Sequence, residues 1–139
     1  MQLQMGNRIL TAIVHGDFHP ANILQSESGL VLIDWEYSCY RQAAYDPLVF
    51  TLRTRFPGQL AQRLKRFVEY EPEYNIFQSF SWPGLDWKTA NHRMFHVNIL
   101  ILEELSLNLQ ENANPIFFAP GRGLVSLLQE ISEWIKTFE

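Results

Sequence analysis

His15-Gly16-Asp17-Phe18-His19-Pro20-Ala21-Asn22 is the stretch around which the rest of the chain can be read, together with Ile33-Asp34-Trp35-Glu36, where Asp34 stands twelve residues after Asn22. Gly16 and Pro20 punctuate it as a loop, not a helix. Asp17 and Asn22 sit five residues apart on that loop, and Asp34 closes the continuously apolar run Leu30 to Ile33. Short strands can bring three such oxygen-bearing side chains together. Phosphoryl transfer asks for this set: a carboxylate to take the proton of an attacking hydroxyl, and separate oxygen ligands to hold Mg²⁺ on nucleotide phosphates.

Working outward, Arg8 to Trp35 reads as short strands. Ile9 to Val14 is β-rich, Asn22 to Gln25 is brief, Ser26 to Gly29 has turn residues, and Leu30 to Ile33 is apolar, which together predict a small hairpin beside another strand. After Asp46-Pro47 the period becomes helical. Leu60, Leu64, Phe67 and Val68 fall at i, i+4, i+7 and i+8, with Arg63, Lys65 and Arg66 on the other face. Val97, Ile101, Leu105 and Leu109 form one ridge of a helix apolar over a wide arc, which predicts the central buried helix. Leu124, Leu127, Leu128, Ile131, Trp134, Ile135 and Phe138 make a stripe after the breaker Pro120 to Gly123. Strands first and helices after predict a mostly helical α+β fold, a hairpin with the loop residues on a helical body from Pro47 to Glu139.

Each of these residues also has a plainer use. An Asp in a Gly-containing loop is commonly a turn former, Asn22 can cap, and Asp34 can simply end a strand. His19 can merely hydrogen-bond the loop. Cys39 has no arranged base and reads as an inert small side chain. Trp82 and Trp87 could wall a quaternary amine, but core packing is the simpler use. Arg53, Arg55, Arg63, Lys65 and Arg66 read most simply as a solvated face. A metal-hydrolase arrangement is a separate alternative: His15, Asp17 and His19 share one side of an extended chain, and His92 and His96 share one side of a helix. Position 93 is Arg where an H-E-x-x-H motif has Glu, and this alternative leaves Asn22 and Asp34 without a role.

The run His15 to Leu24, HGDFHPANIL, with IDWEYS from Ile33 to Ser38 and Tyr45-Asp46 beyond, resembles the aminoglycoside phosphotransferase and choline kinase superfamily. The IDWEYS wording leans toward its choline, ethanolamine and thiamine kinase branches. Protein kinases share the arrangement, with an Arg where this chain has Gly16. The resemblance spans Thr11 to Phe50 and implies that Asp17 is the catalytic base, with Asn22 and Asp34 binding Mg²⁺ and, through it, ATP. It also implies that His15 braces the loop, that Asp46 holds the loop by hydrogen bonds to its backbone, and that Glu36 serves a second metal or the substrate. The partner would be a small-molecule hydroxyl acceptor of choline, thiamine or aminoglycoside type.

A complete enzyme of that family has an N-terminal lobe with a phosphate-covering loop and a strand Lys. Only sixteen residues precede Asp17, and Lys65, Lys88 and Lys136 all follow the loop. Gly121-Arg122-Gly123 is better explained as a helix breaker than as a phosphate cradle. The expectation is a single domain, residues 1–139, equivalent to the C-terminal lobe of such a kinase. Such a lobe would be inactive alone and completed by an N-terminal lobe in cis or trans. A non-catalytic binding module descended from such a kinase is the alternative.

Composition narrows the remaining classes. The chain has 139 residues against roughly 150 per domain, 47% of them hydrophobic and 19% charged, which supports a real core. With 15 acidic and 11 basic residues the net charge is −4, the wrong sign for binding nucleic acid as a main purpose. A single cysteine excludes an internal disulfide and suits a reducing compartment, so the expected location is cytoplasmic. Met1 to Leu10 has no signal-peptide core, and the apolar run Ile99 to Leu102 stops at Glu103 and Glu104, so no membrane association is expected.

Overall fold

The computed structural model describes residues 9–69, 71, 72, 74, 87–113 and 122–138. The fold is α+β, with two small antiparallel sheets on a helical body. β1 (Thr11–Val14) pairs with β4 (Cys39–Gln42), placing Ile13 opposite Tyr40. Between them in sequence lies the hairpin of β2 (Ile23–Ser26) and β3 (Gly29–Leu32). Its tight turn is closed by Ser26, whose hydroxyl donates to the Gly29 carbonyl at 2.9 Å, and Gly29 takes φ +124°, a conformation costly for any residue with a Cβ. Sequence reasoning missed β4, a polar Cys-Tyr-Arg-Gln segment whose strand character comes from its long-range partner and not from its own pattern.

Four helices follow among the described residues: α1 (Tyr45–Thr51), α2 (Leu60–Val68), α3 (Ala90–Asn112) and α4 (Arg122–Lys136). The periodic stripe on α2 is the face it buries, through Leu60, Leu64 and Phe67. Both of its ends are completed from elsewhere. Gln59 at the N-terminus is left-handed and caps nothing, so Glu130 of α4 accepts the Ala61 N–H at 3.0 Å. At the C-terminus the buried Arg93 of α3 donates to the Val68 carbonyl at 2.7 and 3.0 Å and to the Trp87 carbonyl at 2.6 Å.

The burial departs from the expected centre. The most deeply buried element is the short α1, where Tyr45, Leu48, Val49 and the following Leu52 are all sealed. α3 starts in the core at Val97 and Leu100 but runs out of it, leaving Leu109 51% exposed. A helix of its 23 residues is about 34 Å long, more than the body behind it can cover. α4 likewise buries Trp134 and rests Leu127 on the core, while Leu128, Ile135 and Phe138 stay exposed. Trp87 packs edge-on against Phe67 in the core. Trp82, Pro120 and Gly121 lie outside the described residues. Among those described, no helix is long and apolar enough to cross a membrane.

Candidate active site

The loop between β1 and β2 is held from three directions. Its backbone turns sharply at Gly16, with φ +87°, and packs so closely that a Cβ there would stand 2.3 Å from the Tyr37 carbonyl oxygen. From the first turn of α1, Asp46 accepts the N–H of His15 at 2.6 Å and that of Gly16 at 3.0 Å. The buried His15 ring uses both nitrogens: Nδ1 accepts the Asp17 N–H at 3.2 Å, so Nε2 carries the proton and donates to the Ile33 carbonyl at 2.7 Å. That last bond ties the loop to the end of β3, next to Asp34.

Pro20 opens a single 3-10 turn, Pro20–Asn22, that swings Asn22 back under Asp17. The Asn22 amide donates to both the Asp17 carbonyl and Asp17 Oδ2, each at 3.0 Å. Spending its nitrogen this way turns Oδ1 away from Asp17, and among the described residues no donor meets it. Asn22 and Asp34 flank the open end of the hairpin, where the Ile33 N–H donates to the Asn22 carbonyl at 3.0 Å. Asp34 is exposed and takes φ +66°, a left-handed conformation that Asp tolerates better than most residues. An amide oxygen and a carboxylate are the hard donors that suit Mg²⁺. Glu36 is exposed, and His19 Nε2 lies 3.3 Å from Asp17 Oδ2.

The metal-hydrolase residues are otherwise engaged. His15 has no free ring nitrogen, and His96 Nδ1 donates to Gln42 Oε1 at 2.8 Å. Among the described residues no three His, Cys, Asp or Glu side chains gather to hold a metal ion.

Sequence reasoning assigned Arg55 to a solvated face, and the structure places it in the site instead. Its guanidinium donates through Nε to Asp17 Oδ1 and through Nη1 to Glu104 Oε2, both at 2.6 Å. Its Nη2 donates to the Gly16 carbonyl at 2.8 Å and to the Tyr45 hydroxyl at 3.2 Å. Tyr45 in turn donates to Glu104 Oε1 at 2.5 Å. Burial opposes charge on Arg55, but Glu104, Tyr45 and Asp17 outweigh it and keep the guanidinium protonated. Glu104, read from the sequence only as part of the acidic stop after an apolar run, is buried to supply this anchor. No local pattern signals either residue, since 49 positions separate them.

Asp17 and Arg55 form one wall of a cavity of about 600 Å³ bounded by the Arg53–Gly58 loop, α3 and α4. Asp17, Glu104, Glu111 and Glu130 line it as acids, against Arg55 as the basic lining residue among those described. Tyr37 closes one side, and the neighbouring Glu111 carboxylate, with burial added, pushes its hydroxyl pKa up to about 12.

The sequence model of the phosphotransferase enzyme family matches residues 8–85, more than half of the chain. No curated protein and no solved structure is significantly similar to the chain.

Proposed function

Because the chain belongs to the phosphotransferase enzyme family, we propose that it contributes the acceptor-side catalytic centre for moving the γ-phosphoryl group of ATP to a hydroxyl of a small molecule. The observation that carries this is the Asp17 carboxylate on the cavity wall, bonded to Asn22 at its back, with Asp34 at the open end of the same hairpin. Asp17 accepts the proton of an acceptor hydroxyl held in the cavity. Asn22 and Asp34 would hold Mg²⁺, which when bound neutralises the nucleotide phosphates. The excess of carboxylates lining the cavity suits an acceptor with a positive charge, of choline, thiamine or aminoglycoside type.

Gripping the phosphates is a separate task. Among the described residues the cation at the site is Arg55, and four of its five N–H donors are spent on Asp17, Glu104, Gly16 and Tyr45. A second lobe, in cis or in trans, would supply that grip. Ile13 and Tyr40, paired across β1 and β4 and 65% and 75% exposed, offer it apolar surface to cover.

The test is ATP consumption with choline, ethanolamine, thiamine and an aminoglycoside as acceptors, on the chain alone and with a nucleotide-binding lobe fused before Met1. The chain alone should show negligible turnover, because a general base contributes only about 10² to 10⁴ in rate and most of the acceleration lies in holding the phosphates. The fusion should transfer phosphate, and Asp17→Asn should abolish it. Transfer that survives Asp17→Asn would remove Asp17 from the role of base.

A further inference from the structure

We propose that Arg55 is a positioning residue for Asp17: its guanidinium, itself clamped by Glu104 and Tyr45, holds the Asp17 carboxylate in the single rotamer that faces the cavity. The inference rests on the reading of Asp17 as the base and adds to it the device that aims that base.

A carboxylate on a short side chain can rotate, and a base that rotates is aimed only part of the time. A misplacement of about 1 Å can cost on the order of 10² in rate. Asp17 is held at both oxygens. Asn22 meets Oδ2 at 3.0 Å from within the loop, and Arg55 meets Oδ1 at 2.6 Å from across the site. Each carboxylate oxygen has two lone pairs, and with His19 Nε2 also 3.3 Å from Oδ2, it is Oδ1 beside Arg55 that keeps one for an acceptor hydroxyl.

What fixes Arg55 is the geometry of its planar fork. The bond to Asp17 comes from Nε, while Nη1 is committed to Glu104 at 2.6 Å and Nη2 to the Gly16 carbonyl and the Tyr45 hydroxyl. The guanidinium is rigid, so the Nε–H direction is set once the two terminal nitrogens are placed. Glu104 is anchored in turn by Tyr45, which is fully buried in α1. The chain that aims Asp17 therefore runs from the core of α1, through α3, to the loop. Lysine could supply the charge but not this direction.

The loop that delivers Arg55 is pinned as well. Arg63 of α2 donates to the carbonyls of Leu52 and Gly58, each at 2.7 Å, and to those of Phe56 at 3.2 Å and Arg53 at 3.3 Å. One guanidinium thus gathers four carbonyls of a segment that contains three residues of positive φ, Arg53, Gly58 and Gln59. Such a conformation persists only where its surroundings impose it.

The test is solution NMR on the labelled chain, which needs no turnover. In the wild-type protein the Arg55 Nε–H should exchange slowly beside the exposed Arg53, and the Asp17 methylene couplings should report one side-chain rotamer. Asp17→Asn should speed exchange at Arg55. Arg55→Met combined with Glu104→Gln removes the deeply buried Glu104 charge together with its cation and leaves the partly exposed Asp17 to Asn22, His19 and water, and in that folded variant Asp17 should average over rotamers. Arg55→Lys should not restore the single rotamer. A rapidly exchanging Arg55 Nε–H in the wild type overturns the proposal without any variant. So does a single Asp17 rotamer that survives the double substitution, and either result leaves the phosphotransferase reading standing. Phosphate transfer that survives Asp17→Asn overturns that reading and leaves the aiming contact intact.

Discussion

Asp46 carries two backbone N–H groups of the loop on one carboxylate, at 2.6 and 3.0 Å, and neither His15 nor Gly16 is exposed enough to turn to water instead. Removing the acceptor leaves those donors unpaired, a loss of about 1 to 3 kcal/mol. Asp46→Ala should therefore lower the free energy of unfolding measured by urea titration by that amount and should loosen the loop first. Faster hydrogen exchange at Gly16 and Asp17, relative to the amides of α2, is the readout. Unchanged stability would mean that the two contacts contribute nothing. Asp46→Asn makes the sharper comparison, since it keeps the shape but brings an NH₂ group toward two N–H donors and can satisfy at most one of them.

The elements divide by how much of their cause is local. α2 and the hairpin were readable because periodicity and turn chemistry act over a few residues: Leu60, Leu64 and Phe67 recur at helical spacing, and Ser26 to Gly29 can hardly do anything but turn. β4 was not readable, because Cys39 to Gln42 becomes a strand only when β1 arrives. Arg55 was hidden for the same reason, since its partners lie 38 positions before it and 49 after it. Asp17, Asn22 and Asp34 stood out as a set by their spacing, whereas Arg63 looked like the solvated side of an amphipathic helix. Its position at the start of α2 lets it reach back over the preceding loop, and burial lowers its pKa from the ordinary arginine value without threatening its charge near neutrality. Arg63→Met keeps the apolar stem but frees four carbonyls. We expect a loss of roughly 1 to 3 kcal/mol, with exchange rising at the Arg53, Thr54 and Phe56 amides before α2 itself opens. Equal protection in both proteins would assign the loop's shape to its own sequence instead.

At the scale of the molecule, a buried glutamine of β4 is one of the places where the sheet layer is joined to the helical layer. Gln42 of β4 donates its N–H to Glu103 Oε1 at 2.9 Å and its amide to Glu103 Oε2 and the His96 carbonyl, each at 3.1 Å. Its Oε1 accepts from His96 Nδ1 at 2.8 Å. Burial, with the neighbouring His92 adding to it, pushes the His96 pKa down to about 4 from 6.5. The folded protein therefore keeps His96 neutral while the unfolded chain takes up a proton below about pH 6.5. Stability from this group is complete above that pH and is lost as pH falls toward 4, by at most about 1.4 kcal/mol per pH unit. Glu103 works the other way. Burial raises its pKa, so the folded state protonates it first and acidification through its range adds stability. The two can be separated by His96→Asn, which can offer an amide N–H toward Gln42 but does not titrate. Unfolding free energy measured from pH 7 to 4.5 should fall more steeply in the wild type than in His96→Asn. Matching slopes in the two proteins would mean that His96 takes up its proton in the folded state, and that the join between the layers withstands its charge.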